Sequence, residues 1–292
     1  MINLESTVID PSSQNRLPVR VNETPTVTVV VPTKNSEQHL NKCLASIRNQ
    51  TYPNIELIVV DNHSSDATNQ IALRYADKVL IAGPERSAQV NVGARSATGE
   101  FVYRVDSDFV LDLNVVTECM DLVSQGADAV VVHNSPDETV GFLSKVRRFE
   151  VDMYKYDLTH SSARFVRLST YLLIGGLDED LTAGEDYDFQ NRLTQSGAKI
   201  AFADAEAIHL GEPKSLWALL KKYFWYGGEF RRFRSKNKTE SRNQLAFFRN
   251  VYLGHWRSFL KHPLLGVSFC FYHGAKFAAG GLGYMVSVLR KQ

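Results

Sequence analysis

Cysteine is scarce in this chain: Cys43, Cys119 and Cys270 are the only three among 292 residues. They are far apart, odd in number and set among apolar neighbours. That excludes a disulfide framework and a zinc-ligand spacing, and predicts buried structural thiols in a reducing compartment. The N-terminus lacks a basic start followed by an apolar core, so no secretory leader is expected. Residues 1–24, with Pro11, Ser12, Ser13, Gln14, Asn15 and Pro18, read as a flexible tail. Glycine-rich phosphate loops are also missing. The first apolar run is followed by Pro32-Thr33-Lys34-Asn35-Ser36-Glu37, which excludes both the dinucleotide fingerprint and the P-loop. Acidic residues nearly vanish towards the C-terminus. Pro213 to Gln292 holds 15 Lys and Arg against only Glu229 and Glu240, whereas Met1 to Glu212 holds 18 basic and 30 acidic residues. Such asymmetry points to an anionic partner for the C-terminal part.

What is present is a folded α/β chain. Hydrophobic residues make up 44% and charged residues 22%, enough for one large core with an appendage. Val27–Val31, closed by Pro32, reads as a first strand, and a helix with an apolar stripe at Leu40, Cys43, Leu44 and Ile47 follows. Further strands are expected over 55–60, 78–82, 101–105 and 129–132, with helices over 66–74, 87–97 and 114–125. This alternation predicts a mostly parallel sheet with helices on both faces. An amphipathic segment over 142–157, a short helix over 169–174 stopped by Gly175-Gly176, a helix over 185–196 stopped by Gly197 and an edge strand over 199–203 complete the domain, taken as 25–211. The region 212–292 reads as helical, basic and amphipathic. Aromatics interleave with bases over 215–233, and 264–289 is apolar but carries His273 and Lys276 near its middle. That composition favours two interfacial helices on an anionic membrane surface over a membrane span. No nucleic-acid module accompanies the charge, so no nucleic acid is expected.

Three Asp-x-Asp pairs occur: Asp106/Asp108, Asp178/Asp180 and Asp186/Asp188. Asp178/Asp180 sits in a turn-like segment, and Asp186/Asp188 opens a helix, where i and i+2 diverge. Only Asp106/Asp108 closes a strand-like run, Phe101-Val102-Tyr103-Arg104-Val105. In extended backbone both carboxylates would share a face, a hard oxygen site suited to Mg²⁺ or Mn²⁺ shared with a diphosphate. Open α/β sheets bind ligands at such strand ends. A second strand end, Val59-Val60-Asp61, places an acid where ribose or a base edge is commonly held.

Six motifs then occur in order: Val29-Val30-Val31-Pro32-Thr33-Lys34-Asn35, Val59-Val60-Asp61-Asn62-x-Ser64-x-Asp66, Ala97-Thr98-Gly99-Glu100, Asp106-Ser107-Asp108, Gly175-Gly176-Leu177-Asp178-Glu179 and Gly184-Glu185-Asp186-Tyr187-Asp188. Over roughly Thr26 to Gly211 the chain resembles the family 2 glycosyltransferases of the GT-A, Rossmann-like fold. The resemblance implies inverting transfer of a sugar from a nucleotide donor, a UDP-sugar by first choice, with Mg²⁺ or Mn²⁺. It implies Pro32, Thr33, Asn35 and Glu37 beside the nucleoside, Asp61 accepting from the base, and Arg86 at the base or diphosphate. It further implies Asp106 towards ribose or the metal shell, Asp108 on the metal, and Gly175 and Gly176 against the sugar. Asp186 would be the base with Glu185 beside it, and His209 would lie near the metal. Val90 stands where relatives often carry arginine, which leaves Arg86 to act alone. An acceptor hydroxyl on a lipid-linked glycan or polysaccharide is expected, at the inner face of a cytoplasmic membrane. Two alternatives remain at this point: transfer to polyprenyl phosphate, and non-catalytic binding of sugar nucleotides.

Overall fold

The computed structural model describes residues 24–290, so all but Thr24 of the expected tail lies outside the described residues. Eight strands form one sheet: β1 (Val27–Thr33), β2 (Ile55–Asp61), β3 (Lys78–Ile81), β4 (Phe101–Arg104), β5 (Phe109–Leu111), β6 (Ala129–Pro136), β7 (Phe165–Arg167) and β8 (Ile200–His209), in the order β3-β2-β1-β4-β7-β6-β8-β5. Six strands run one way. β7 and β5 oppose them, so the sheet is mostly parallel, as expected, and is mixed through these two strands. Both reversed strands are three residues long, too short to show a period in the sequence.

β1 is buried along its whole length because helices cover both faces. One face packs against α1 (Glu37–Arg48), α2 (Thr68–Tyr75) and α4 (Val115–Ser124), with Leu40, Cys43, Leu44 and Ile47 inside as expected. The other packs against α3 (Arg86–Arg95), α6 (Leu168–Leu173) and α7 (Glu185–Gln195) through Val90, Tyr171 and Phe189. Pro32 continues β1 instead of closing it. The β4 ladder reaches only Val30, so the missing proline N–H interrupts no bond there. The expected edge strand over 199–203 is the first part of β8, which there pairs with β6 alone; β8 runs on to His209 and takes β5 on its other side only through Ala207–His209.

The C-terminal region is helical: α8 (Leu216–Lys236), three short helices α9 (Glu240–Gln244), α10 (Asn250–Gly254) and α11 (Trp256–Lys261), and α12 (Pro263–Leu289). A single helix thus replaces the two expected over 264–289. It crosses α8 at bare backbone: a Cβ on Gly227 would lie 1.9 Å from the Gly280 carbonyl oxygen, and one on Gly283 would lie 1.8 Å from that of Phe224. α5 (Phe142–Asp152) joins these two helices in a third core of Val146, Phe149, Met153, Leu219, Phe269 and Tyr272. His273 and Lys276 face this interior. Lys276 is ion-paired with Glu150 of α5, and the His273 Nε2–H donates to the Phe247 carbonyl at 2.9 Å. Cys43 and Cys119 are buried as expected, whereas Cys270 is exposed, because it lies on the outer side of α12.

Burial raises the proton affinity of Glu150, but Lys276, with His273 Nδ1 3.6 Å away, outweighs it and holds the carboxyl well below its usual range. Glu150 and Lys276 are 3% and 7% exposed, so removing one partner strands the other. Glu150→Ala should cost about 3–5 kcal/mol in urea unfolding near neutral pH. Because the folded value is depressed, this stabilisation is present above the unfolded carboxyl value of about 4.3 and is lost as pH falls below it. The gap between wild type and Glu150→Ala should therefore narrow in acid.

Candidate functional site

A cleft of about 730 Å³ opens where the C-terminal ends of β1, β4, β6 and β8 meet α8. β4 ends at Arg104, and Asp106-Ser107-Asp108 forms a turn into β5, closed by the Phe109 N–H donating to the Asp106 carbonyl at 3.1 Å. The aspartates thus lie on a turn and not on extended strand, and their carboxylates part company. Asp106 accepts from Arg86 and Arg164, each at 2.7 Å. Asp108 Oδ2 faces His209 Nε2 at 3.1 Å.

The opposite wall is the N-terminus of α7. Gly184 precedes it with φ 82°, and a Cβ there would lie 2.7 Å from the Phe233 ring, so both backbone conformation and space require glycine. Glu185 and Asp186 occupy the first turn, where the helix dipole favours negative charge. Asp188, two residues on, points away and accepts from Arg192 and Asn237. Arg104 is 4% exposed. It reaches Asp186 from below while also donating to Ser162 Oγ and the Ala163 carbonyl. Arg86 pairs with Glu185 and, at 3.3 Å, with Asp186; Arg164 lies 3.6 Å from Asp186. Three guanidiniums therefore meet three carboxylates. Burial acts to raise the Asp186 value, but Arg104, Arg86 and Arg164 overcome it and hold the carboxyl well below its usual range. Glu185 is shifted upwards, by burial first and by Asp186 beside it, against the pull of Arg86. Neighbouring acids with opposed proton affinities are a recurrent feature of acid–base sites.

His209 is set by β-pairing: it is the register partner of Phe109, on which its ring stacks at 4.9 Å. Its Nδ1 is 2.5 Å from Glu212, which also takes Arg147 at 3.0 Å. Burial lowers the imidazole value, but the bonds to Asp108 and Glu212 raise it above the usual one. Gly211 supplies the room: a Cβ there would be 2.1 Å from Asp108 Oδ2 and 3.2 Å from His209 Nε2. A carboxylate, an imidazole oriented by a buried acid and a space lined by bare backbone fit a divalent cation. Among the described residues no three His, Cys, Asp or Glu side chains gather into a full ligand set. Asp108 and His209 would need donor oxygens and water to complete one, as Mg²⁺ and Mn²⁺ sites commonly do.

Pro32, Arg86, Asp106, Asp108, Glu185, Asp186 and His209 all line the cleft. The other expected site residues are placed otherwise. Asp61 is fully buried, and its carboxylate accepts from Thr33 Oγ1, Ser64 and Asn69, which leaves it no open oxygen for a base. Thr33 is spent on that bond. Asn35 and Glu37 accept from the Ser65 and Ala67 N–H groups and so brace the loop after β1 to the loop after β2. Gly175 and Gly176 end α6 with positive φ, and Gly176 abuts Asn91, not the cleft.

Against known proteins, residues 28–172 match the model described as Glycosyl transferase family 2. The chain belongs to that family. This family member is 38% identical to glycosyltransferase GlyA of Streptococcus pneumoniae over 36% of its own length and 16% of GlyA's. It is 35% identical to the putative glycosyltransferase EpsH of Bacillus subtilis over 37% of its own length and 33% of EpsH's. It thus spans a third or less of those two relatives through the aligned stretch. Its fold is similar to that of mannosyltransferase PcManGT from Pyrobaculum calidifontis, solved with GDP-Man and Mn²⁺, at TM-score 0.64 and 16% identity over 92% of this chain and 88% of that one. The shared fold is α/β with a mixed sheet, flanking helices and a C-terminal helical region.

Sequence reasoning missed Arg104, Arg164 and Glu212. Arg104 had a signal: a lone arginine inside an apolar strand is stable only against buried acids. Arg164 and Glu212 had none, because strand pairing and the β8 exit decide where they point. In this glycosyltransferase-family domain Arg104→Met leaves Asp186 without its closest cation, and should lower stability by about 3 kcal/mol or more in urea unfolding. An unchanged midpoint would show that the network does not hold α7 to the sheet.

Proposed function

We propose that this protein is an inverting, metal-dependent glycosyltransferase. It would move a sugar from a nucleoside-diphosphate donor, a UDP-sugar first, to a hydroxyl of a lipid-linked glycan or polysaccharide acceptor. The observation that carries this is the convergence of Asp106, Asp108, Glu185, Asp186 and His209, from three separate segments, on one cleft at the strand ends. Asp108 and His209 would hold Mg²⁺ or Mn²⁺, which when bound neutralises the departing diphosphate; the Mn²⁺ in PcManGT supports that choice. Pro32 would flank the nucleoside. Arg86 and Arg164 are the cations within reach of the diphosphate, with Asp106 between them.

A carboxylate held by three guanidiniums is a weak base. A diphosphate competing for Arg86 and Arg164 would release Asp186 Oδ2, while Arg104 keeps Oδ1 in place. The freed oxygen would take the acceptor O–H proton as the acceptor oxygen bonds the anomeric carbon and the carbon–diphosphate bond breaks. Inversion follows from that single displacement and needs no protein nucleophile. The test is transfer with UDP- and GDP-sugars in Mn²⁺. Asp186→Asn should lower turnover by ~100-fold or more with donor affinity little changed. Asp108→Ala should abolish the metal-dependent part. Near-normal turnover of Asp186→Asn would move the role to Glu185 or favour a polyprenyl-phosphate acceptor, which needs little deprotonation. Donor binding without hydrolysis or transfer would leave only a sugar-nucleotide binder.

The C-terminal helices supply the acceptor side. No described helix is long and apolar enough to cross a membrane. Their outer surface nevertheless carries Trp217, Phe248, Leu253 and Phe271, each more than three-quarters exposed. With the 15 basic residues beyond Glu212, that surface suits peripheral attachment to an anionic leaflet, with 25–211 as the catalytic domain. Binding to anionic liposomes should weaken with salt without vanishing. Paired Trp217→Ser and Phe271→Ser substitutions should reduce the salt-resistant part, and unchanged flotation of that variant would remove the membrane assignment.

A further inference from the structure

A second cavity of about 530 Å³ lies behind the cleft, enclosed by α5, α8, α12 and the segment 244–249. The two spaces adjoin, with Arg147, Tyr154, His160 and Tyr226 lining both. Its wall is mainly aromatic and aliphatic, yet it holds four cations, Arg147, Arg234, Arg249 and Lys276, against one acid, Glu150. Lys276 is neutralised by Glu150, and Arg147 by Glu212. Arg249 and Arg234 have no carboxylate within 4.0 Å among the described residues. Arg249 lies over the Tyr154 ring at 5.1 Å and donates only to the Ala246 and Gln244 carbonyls; Arg234 lies over the Tyr284 ring at 5.8 Å. Arg234 is solvent-exposed, but Arg249 is partly buried, and a partly buried cation with no carboxylate beside it is costly to maintain without an anion to meet it.

The junction carries a further unpartnered group. His160 Nδ1 is 2.5 Å from Asp157, and its ring stacks on Tyr154 at 4.9 Å, but its Nε2 is buried with no hydrogen-bond partner. With Nδ1–H donating to Asp157, Nε2 is left as an acceptor for a hydroxyl entering from either side. Gly281 of α12 lines the cavity without a side chain, while Gly280 beside it is packed on Gly227 of α8. The cavity therefore has a largely apolar wall, a partly buried cation without a carboxylate and a free hydrogen-bond acceptor where it adjoins the cleft.

We infer that this cavity is the acceptor site and binds a phosphate-bearing amphiphile, its anionic head on Arg249 and its hydrocarbon chain against the apolar wall of Phe230, Leu245 and Phe277. This assignment, which rests on the transferase reading of the adjoining cleft, narrows the acceptor to a prenyl-type phosphate or diphosphate whose sugar-bearing end passes His160.

The experiment is calorimetric titration of the full chain, saturated with UDP and Mn²⁺ to fill the cleft, with farnesyl diphosphate, farnesol and inorganic pyrophosphate. Farnesyl diphosphate should bind to the filled enzyme more tightly than either fragment. Arg249→Gln should weaken it about tenfold or more, as expected for a hydrogen bond to a charged group. Leu245→Trp, which fills the cavity without touching the cleft, should weaken it further. Both variants should bind UDP as the wild type does, which also reports that they fold. Farnesyl diphosphate bound in this way by a protein that transfers no sugar would support the cavity assignment while removing the transferase reading. Competition by UDP, equal binding of farnesol or pyrophosphate, or unchanged affinity in both variants would overturn the assignment.

Discussion

Three arginines facing three carboxylates are the constraint around which the site is organised. Arg104 ends β4 and Arg164 immediately precedes its antiparallel neighbour β7, the two joined by the Arg104 N–H donating to the Arg164 carbonyl at 3.0 Å. Two like charges so placed repel. Asp106 from the β4–β5 turn and Glu185 and Asp186 from α7 compensate them, with Arg86 closing the ring from α3. The network ties two helices and two strands to one point. Of the three guanidiniums, those of Arg86 and Arg164 line the cleft, while that of Arg104 is buried beneath it. Charged donors of this kind are strongest in a partly water-excluded site.

A second constraint is the close crossing of α8 and α12. Glycines at the contact let the two backbones touch, and α8 is thereby held across the cleft mouth, where Lys222, Trp225, Tyr226 and Phe230 form its outer wall. The apolar character of α12 is thus explained in part by protein packing. Its buried face serves α8 and α5, and its outer face keeps Leu264, Phe271 and Met285 uncovered. The same helix that closes the second cavity presents the surface suited to a membrane.

Much of this was legible along the chain because short-range patterns carried it. The buried run Val27–Val31 and the stripe Leu40, Cys43, Leu44 and Ile47 follow from periodicity, and the ends of α6 and α7 follow from Gly175 and Gly197 in positive φ. Asp106, Asp108, Asp186 and His209 came from motifs in order, and they converge. Asp61 shows the limit: its motif was recognised, but whether a carboxylate faces a ligand or its own loop depends on neighbours such as Ser64 and Asn69, and here the loop takes it.

Local composition and spacing by themselves determined the α/β alternation, the acids at strand and helix ends, and the basic, aromatic C-terminal region. Those properties depend on residues within a turn or two of one another. Tertiary structure alone decided that Asp106 and Asp108 would part to different partners, that Arg104 would hold Asp186, and that Lys276 would meet Glu150 and not lipid. Each of these is a contact between groups at least 20 positions apart, apart from the turn that separates the two aspartates. Such contacts are set by strand order and helix crossing, which no short window of sequence contains.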